Sequence, residues 1–198
     1  MDRRAIRDAW DDVAEAYARN RDPDGADSAL VGDLLDELPA DPVVLDVGCG
    51  DGERTLARLP TGSIGLDFSR RGLELASQRV PHGRLLQGEM TAMPVADDAV
   101  DAITAYHAVF HVPREDQPAV YREFARVLRP GGQLLMTLPG GRFETVRRGW
   151  MGGSMFFSAP GRKRSLQQLR DAGFTDLRTV TTDDPLGSST EFVFATLP

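Results

Sequence analysis

The sequence predicts a doubly wound α/β domain, and three observations predict it. From residue 42 onward, short apolar runs alternate with amphipathic stretches of helical length. A glycine-rich turn containing Gly48, Gly50 and Gly52 directly follows the first of those runs. The last two runs are separated by too few residues to hold a crossover helix.

The elements follow in order. Ile6, Trp10, Val13 and Tyr17 recur at helical spacing with Arg and Asp on the other faces, which predicts a docking helix. After a polar break from Asn20 to Gly25, Leu30, Val31, Leu34, Leu35 and Leu38 predict a second amphipathic helix that Pro39 ends. Strands are predicted at Val43 to Val47, Ser63 to Leu66, Arg84 to Leu86, Val100 to Ala105 and Gln133 to Leu138. Helices are predicted at Glu53 to Leu59, Ser69 to Val80 and Arg114 to Leu128, the last stopped by Pro130 and Gly131. Strands separated by helices connect right-handed and run parallel. Ser165 and Gln168 read as a capping box opening a further helix, with Gly173 and Phe174 as its Schellman stop. Two final strands, Thr175 to Thr182 and Thr190 to Thr196, are joined only by Asp183, Asp184, Pro185, Leu186, Gly187 and Ser188. They must be antiparallel. The expected sheet is therefore seven-stranded and mostly parallel, with an antiparallel C-terminal strand and helices on both faces.

A chain of 198 residues with 41% hydrophobic content suffices for one domain that needs no disulfide staples. Cys49 is the single cysteine, which excludes an intrachain disulfide and any multi-cysteine zinc framework; no metal site is expected. The N-terminus is charged throughout and no apolar run approaches a membrane span, so a cytoplasmic location without membrane contact is expected. A net charge of -7 disfavours nonspecific attraction to phosphate backbones, and a nucleic-acid partner is not expected. Nothing in the sequence reports oligomeric state.

The chemistry is concentrated in VVLDVGCGDGERT, residues 43 to 55. Gly48, Gly50 and Gly52 let backbone approach a ligand where a Cβ would collide, and the helix expected after them offers unpaired N–H groups to an anion. Asp46 precedes the first glycine. Asp67 closes the next strand with two acceptor oxygens, which suits the two hydroxyls of a ribose. The spacing is GxGxG and misses the G-x-G-x-x-G pattern of nicotinamide-binding domains.

VLDVGCGDG resembles the first motif of the class I S-adenosylmethionine-dependent methyltransferases. The similarity continues through GLDFS, QGEMTAMPVADDAVDAITAYHAVFHV and FARVLRPGGQLLMTLPG, covering about residues 10 to 197. The resemblance implies S-adenosylmethionine as cofactor and a single methyltransferase domain over 1–198. Within it, 1–40 would be an N-terminal helical cap, 41–138 the cofactor-binding core, 139–165 a substrate lid and 166–198 a C-terminal helix and strand pair. It implies Asp46 near the cofactor's ammonium, the Gly48 to Gly50 backbone with Cys49 facing the methionine part, and Asp67 on the ribose. Phe68 would lie beside the adenine, Glu89 would accept from its amino group, and Met90 would pack on the ring. Many relatives carry aspartate where Glu89 stands. Tyr17 would close over the methionine end with Arg21 on its carboxylate, and Tyr106 would complete the cofactor-binding set.

A sulfonium methyl leaves a neutral thioether, so in-line displacement depends mainly on alignment and needs a base only where the acceptor loses a proton. Tyr106, His107 and His111 follow the fourth predicted strand, where ligand-lining loops lie, and His107 is the first candidate base. Several acceptors are excluded. Lys163 is the only lysine, which removes the two-lysine tetrad of ribose 2′-O methyltransferases, and TAYH lacks the Asn/Asp-Pro-Pro-aromatic grip on exocyclic amines. One cysteine, in the glycine turn, fits neither cytosine C5 nor arsenite chemistry. Residues 139 to 164 carry a local charge of +5 interleaved with Trp150, Met155, Phe156 and Phe157, which reads as a mobile lid over a small, anionic or aromatic substrate. A small-molecule acceptor is the leading expectation. An RNA methyltransferase and a noncatalytic S-adenosylmethionine-binding partner module are the alternatives.

Overall fold

The computed structural model describes residues 2–183 and 189–198, so the predicted link at residues 184–188 lies outside them. Asp2 caps the first helix, α1 (Arg3–Asn20), by accepting the N–H of Arg4, and its stripe of Ile6, Val13, Ala14 and Ala18 is buried. A 3-10 turn, Ala26–Ser28, leads into α2 (Ala29–Asp36). The framework continues with β1 (Val44–Val47), β2 (Ile64–Asp67), α3 (Arg70–Arg79), β3 (Arg84–Gln87), β4 (Val100–Ala105), α4 (Gln117–Val127) and β5 (Leu128–Leu138). A hairpin of β6 (Arg142–Trp150) and β7 (Gly153–Pro160) precedes α5 (Arg162–Asp171), β8 (Thr175–Asp183) and β9 (Ser189–Thr196).

Seven strands form one sheet in the order β3-β2-β1-β4-β5-β9-β8. β1 through β5 pair in parallel, while β9 runs antiparallel to both β5 and β8. Side chains alternate between faces along each strand, and the core sorts accordingly. Leu45, Ile103, Leu134 and Val193 pack with α4 and α5 through Phe124 and Leu169, whereas Val44, Ala102, Leu135 and Phe192 pack with α2 through Leu30 and Leu34. Each fully buried ring or branched side chain contributes about 1.5–3 kcal/mol of hydrophobic stabilisation, so helices are held to both faces by apolar area.

The structure departs from the predicted elements at five places. β5 starts at Leu128, not Gln133, and runs through Pro130 and Gly131 with a register shift against β4 between Val100 and Ala102. Glu53 to Leu59 is not an α-helix: only Leu56–Arg58 forms a 3-10 turn. Arg54 and Thr55 are instead buried with their side chains tied to Asp27 and Asp46, and Pro60 follows before a second helical turn can close. The anion-binding helix terminus expected there is therefore absent. α4 begins at Gln117 rather than Arg114, because an earlier start would place Pro118 in the helix interior. Ser165 does not cap α5: its N–H already bonds Gly161 O (3.0 Å), so it lies inside the first turn, and Gly161 takes the cap position. The stop is as predicted, with Phe174 N–H on Leu169 O (3.1 Å), Gly173 N–H on Arg170 O (2.9 Å) and Gly173 at φ 104°. Finally, the stretch expected as a mobile lid is an antiparallel hairpin. Met151 and Gly152, at φ 49° and 85°, supply the left-handed turn that two-residue hairpins require.

Candidate functional site

A cleft opens where the order of β1, β2 and β4 reverses direction across the sheet. Doubly wound sheets bind ligands at this position because neighbouring connections leave on opposite faces there. Its floor is the glycine turn. Gly48 and Cys49 both donate to Leu66 O (2.7 and 3.2 Å), which clamps the turn to the end of β2. A Cβ on Gly48 would lie 2.4 Å from the Ala108 Cβ, so only glycine fits. Gly50 has nothing within 4 Å of a virtual Cβ and lines the cleft beside that open space.

Asp67 is positioned by the turn that it helps to build. Its carboxylate accepts Gly50 N–H and Ser69 N–H, each at 2.8 Å, and it lines the cleft. Burial pushes its carboxyl up to about 6 against the pull of those amide bonds. Two carboxylate oxygens offer about four acceptor sites, so capacity remains for a pair of hydroxyls.

Asp46 lies one layer below and is not among the residues lining the cleft. It accepts the hydroxyls of Thr104 (2.8 Å) and Thr55, and Thr55 reaches the cleft. Burial pushes the Asp46 carboxyl up to about 6, with Asp67 adding to the rise. Its folded value thus exceeds the unfolded value near 3.9, so the stability that the protonated acid confers is lost as pH rises from about 4 through about 6. Asp46→Asn stays neutral throughout. Urea unfolding of the unliganded variant is expected to give about 1–3 kcal/mol more stability than wild type at pH 7.5, and no difference at pH 4. An equal difference at both pH values would assign the effect to rearranged hydrogen bonds rather than to charge.

α1 roofs the cleft with Arg3, Trp10 and Tyr17, joined by Arg21 just past its end. Asp11 ties it to the start of α3, accepting Ser69 Oγ–H (2.6 Å) and Arg71 N–H (3.1 Å). Tyr17 packs edge-on against Trp10 (5.2 Å between centroids) and lies under the Arg21 guanidinium (5.0 Å). Arg3 was not singled out in the sequence, where nothing separates it from Arg4 or Arg7. In the fold it donates to Glu89 (2.6 and 3.1 Å) and His111 O (2.9 Å) and lies 4.9 Å over the Phe68 ring. Phe68 and Met90 line the cleft, whereas the Glu89 carboxylate is turned to Arg3.

The residues after β4 separate cleanly. Tyr106 is buried, donates to Asp27 O (3.0 Å) and has its phenol pushed up by burial, which makes it a donor and not a base. His111 is buried with Nδ1 2.8 Å from Phe156 O, and burial pushes it down to about 3, so it stays neutral. His107 lines the cleft at φ 52°, a conformation rare for a side chain of this size, and its N–H bonds Thr137 Oγ1 (2.8 Å). Its Nε2 lies 3.5 Å from the Asp27 carboxylate, which also pairs with Arg54. Asp27 and Arg54 carry no local sequence signal; the fold alone brings them together. Burial also pushes the Cys49 thiol up, which leaves it unreactive.

None of Trp150, Met155, Phe156 and Phe157 lines the cleft. Met155, Phe156 and Phe157 are buried. Trp150 meets Trp10 and Tyr17 (5.5 Å each) and Phe157 meets His111 (4.9 Å), so the hairpin backs the rings that do line it. Among the described residues, no cluster of His, Cys, Asp and Glu is arranged to hold a metal.

A glycine turn following β1, a carboxylate closing β2 and a cleft at the sheet's switch point are the features of a doubly wound fold that holds a nucleoside-bearing cofactor. The family signature described as a methyltransferase domain matches residues 44–132. A demethylmenaquinone methyltransferase of Halalkalibacterium halodurans is 31% identical over 169 residues, covering 68% of each chain. The methyltransferase GfsG of Streptomyces halstedii is 43% identical over 100 residues, covering 46% of this chain and 35% of its own length. The chain thus spans between about a third and two thirds of these curated relatives. The magnesium protoporphyrin IX methyltransferase of Synechocystis PCC 6803, solved with S-adenosylhomocysteine, superposes over all of both chains with a TM-score of 0.73 at 17% identity, which establishes the shared fold. The chain belongs to the class I S-adenosylmethionine-dependent methyltransferases, and S-adenosylmethionine is its cofactor.

Proposed function

We propose that the protein methylates a small, ring-bearing molecule, with His107 taking the acceptor's proton. The observation that carries this reading is His107 itself, an imidazole held at positive φ on the cleft wall beside Trp10 and Tyr17. When bound, S-adenosylmethionine supplies an electrophilic methyl whose departure leaves a neutral thioether. Asp67 would hold the ribose, Phe68 and Met90 the adenine, and the Glu89 carboxylate, which already accepts from Arg3, would also accept from the adenine amino group. Thr55, held by Asp46, and the Gly48 to Gly50 backbone with Cys49 would face the methionine part, with Arg21 toward its carboxylate and Tyr17 and Tyr106 enclosing it. Trp10 and His111 would flank the acceptor, with α1 lying over it as the roof.

A small-molecule acceptor agrees with the names of a relative, a demethylmenaquinone methyltransferase, and of a structural neighbour, a magnesium protoporphyrin IX methyltransferase. The overall charge of -7 argues against RNA, although Arg142, Arg147 and Arg148 on β6 are exposed. Among the described residues no helix is long and apolar enough to cross a membrane. The lone free cysteine supports a reducing, cytoplasmic setting. We read 1–198 as one functional domain, with 1–40 as roof, 41–138 as cofactor-binding core, 139–165 as the wall behind the acceptor and 166–198 closing the sheet.

A panel of small aromatic metabolites, assayed by S-adenosylhomocysteine release, tests the proposal. His107→Gln is expected to lower kcat about 10²–10⁴-fold, the usual contribution of a general base, while S-adenosylhomocysteine affinity stays within about twofold. Unchanged turnover in that variant would remove His107 from the chemistry.

A further inference from the structure

We infer that Asp27 is a positioning residue for His107, fixing the imidazole as its Nε2–H tautomer and selecting acceptors that lose a proton from a phenolic or enolic oxygen. This rests on His107 being the base. Asp27 sits in the 3-10 turn between α1 and α2, eighty residues from His107 in sequence, and is fully buried. Its polar atoms divide among three partners. Oδ1 takes the Arg54 guanidinium, the backbone carbonyl takes the Tyr106 hydroxyl (3.0 Å), and Oδ2 faces His107 Nε2 (3.5 Å). Oδ2 makes no hydrogen bond among the described residues, so the imidazole is the group it faces.

A buried carboxylate kept only for stability would be satisfied by Arg54, which is itself buried and anchored on Asp22 O (2.6 Å). Here its second oxygen is directed at a cleft-lining imidazole instead. Burial works to raise the Asp27 carboxyl, but the nearby His107 imidazole and the hydrogen-bonded Arg54 guanidinium outweigh it and hold it below the usual carboxylate range. It is therefore ionised at neutral pH. A carboxylate on Nε2–H leaves Nδ1 as the basic atom and stabilises the imidazolium formed when that atom takes a proton.

The acceptor class follows from the proton. An acceptor hydroxyl gives its proton to Nδ1, its oxygen pair forms the new O–CH₃ bond, and the C–S pair stays on the departing thioether; the imidazolium then returns the proton to water. A phenol or enol, with a pKa near 10, is within reach of an imidazole, whereas an aliphatic alcohol is not. Trp10, Tyr17 and His111 give the same cleft flat apolar walls for such a ring. The other titratable and charged groups lining the cleft with His107 include Arg54, Arg21, Arg3, Tyr17, Tyr106 and the neutral His111, with Asp51 and Asp67 at the glycine-turn end.

Nitrogen-15 spectra of the imidazoles in the full chain saturated with S-adenosylhomocysteine test the assignment, with His107→Gln identifying the signal. His107 is expected as the Nε2–H tautomer below its imidazolium fraction. Asp27→Asn is expected to lower its proton affinity about tenfold, leaving exposed His82 unmoved. An Nδ1–H tautomer in the wild-type protein overturns the inference, whether or not the variant folds. Methylation is expected of phenols and not of matched cyclohexanols or amines; the reverse preference overturns the acceptor class. If His107→Gln does not slow turnover, the base itself is wrong; if it does and the tautomer is Nδ1–H, only the role of Asp27 fails.

Discussion

Replacing Gly48 by alanine is expected to abolish measurable S-adenosylhomocysteine binding and to lower unfolding free energy by about 2–5 kcal/mol. Two costs add at this position. The backbone sits at φ 76°, where an L-residue costs about 1–2 kcal/mol, and the new Cβ would lie 2.4 Å from the Ala108 Cβ, an overlap that forces movement costing about 1–3 kcal/mol more. Movement of either partner reaches the site, because Ala108 follows His107 and Gly48 N–H is held on Leu66 O. Gly50→Ala is the control. It shares the left-handed conformation, at φ 55°, yet its Cβ would meet no protein atom within 4 Å. Its stability loss is expected to stay near 1 kcal/mol, with reduced cofactor affinity where the Cβ projects toward the ligand. Calorimetric titration and urea unfolding of both variants separate the two cases. Equal stability losses would mean that the contact with Ala108 relaxes freely.

The strands of the sheet were legible because their apolar runs are short and bounded by breakers, and the antiparallel end followed from a link too short for a crossover. Asp67, the glycine turn and the post-β4 residues were legible for the same reason: they lie at strand ends, whose place in such a sheet is fixed by topology. What sequence could not give depends on contacts between distant segments. Thr55 looks like the third residue of a helix, but its hydroxyl is claimed by buried Asp46, and the helix gives way. Arg3 and Asp27 lie in a roof and a turn whose local patterns are those of any charged helix and polar loop, and only packing turns one toward Glu89 and Phe68 and the other toward His107. The hairpin was hidden by composition. β6 is exposed along almost its whole length and therefore reads as a charged loop, while its partner β7 carries the burial.

That burial sets the largest effect expected outside the cofactor turn. Phe157 stands between the hairpin, α1 and the 3-10 turn Val109–His111, with ring contacts to Phe110 (5.9 Å), His111 (4.9 Å) and Trp150 (5.6 Å), and with Arg147 over its face (4.8 Å). Truncation to alanine removes an almost fully buried ring from a cluster that also holds Val13 and Met155. The expected cost is about 3–5 kcal/mol, the range for a core phenylalanine, which in a chain of this size lowers the thermal midpoint by roughly 6–20 °C. Function should suffer unevenly. Trp10 and His111 lose the ring layer behind them, so the acceptor's KM is expected to rise, whereas the Gly48 to Asp67 cradle rests on β1 and β2 and should keep its S-adenosylhomocysteine affinity within about threefold at temperatures where the variant is folded. Arg147→Ala removes only the exposed cation from the same ring and is expected to cost about 0.5–1 kcal/mol. A Phe157→Ala variant with an unshifted thermal midpoint and a raised KM would instead show that the hairpin swings as a separate lid about Gly140 and Gly161, and that its aromatic face is a closing surface, not part of the core.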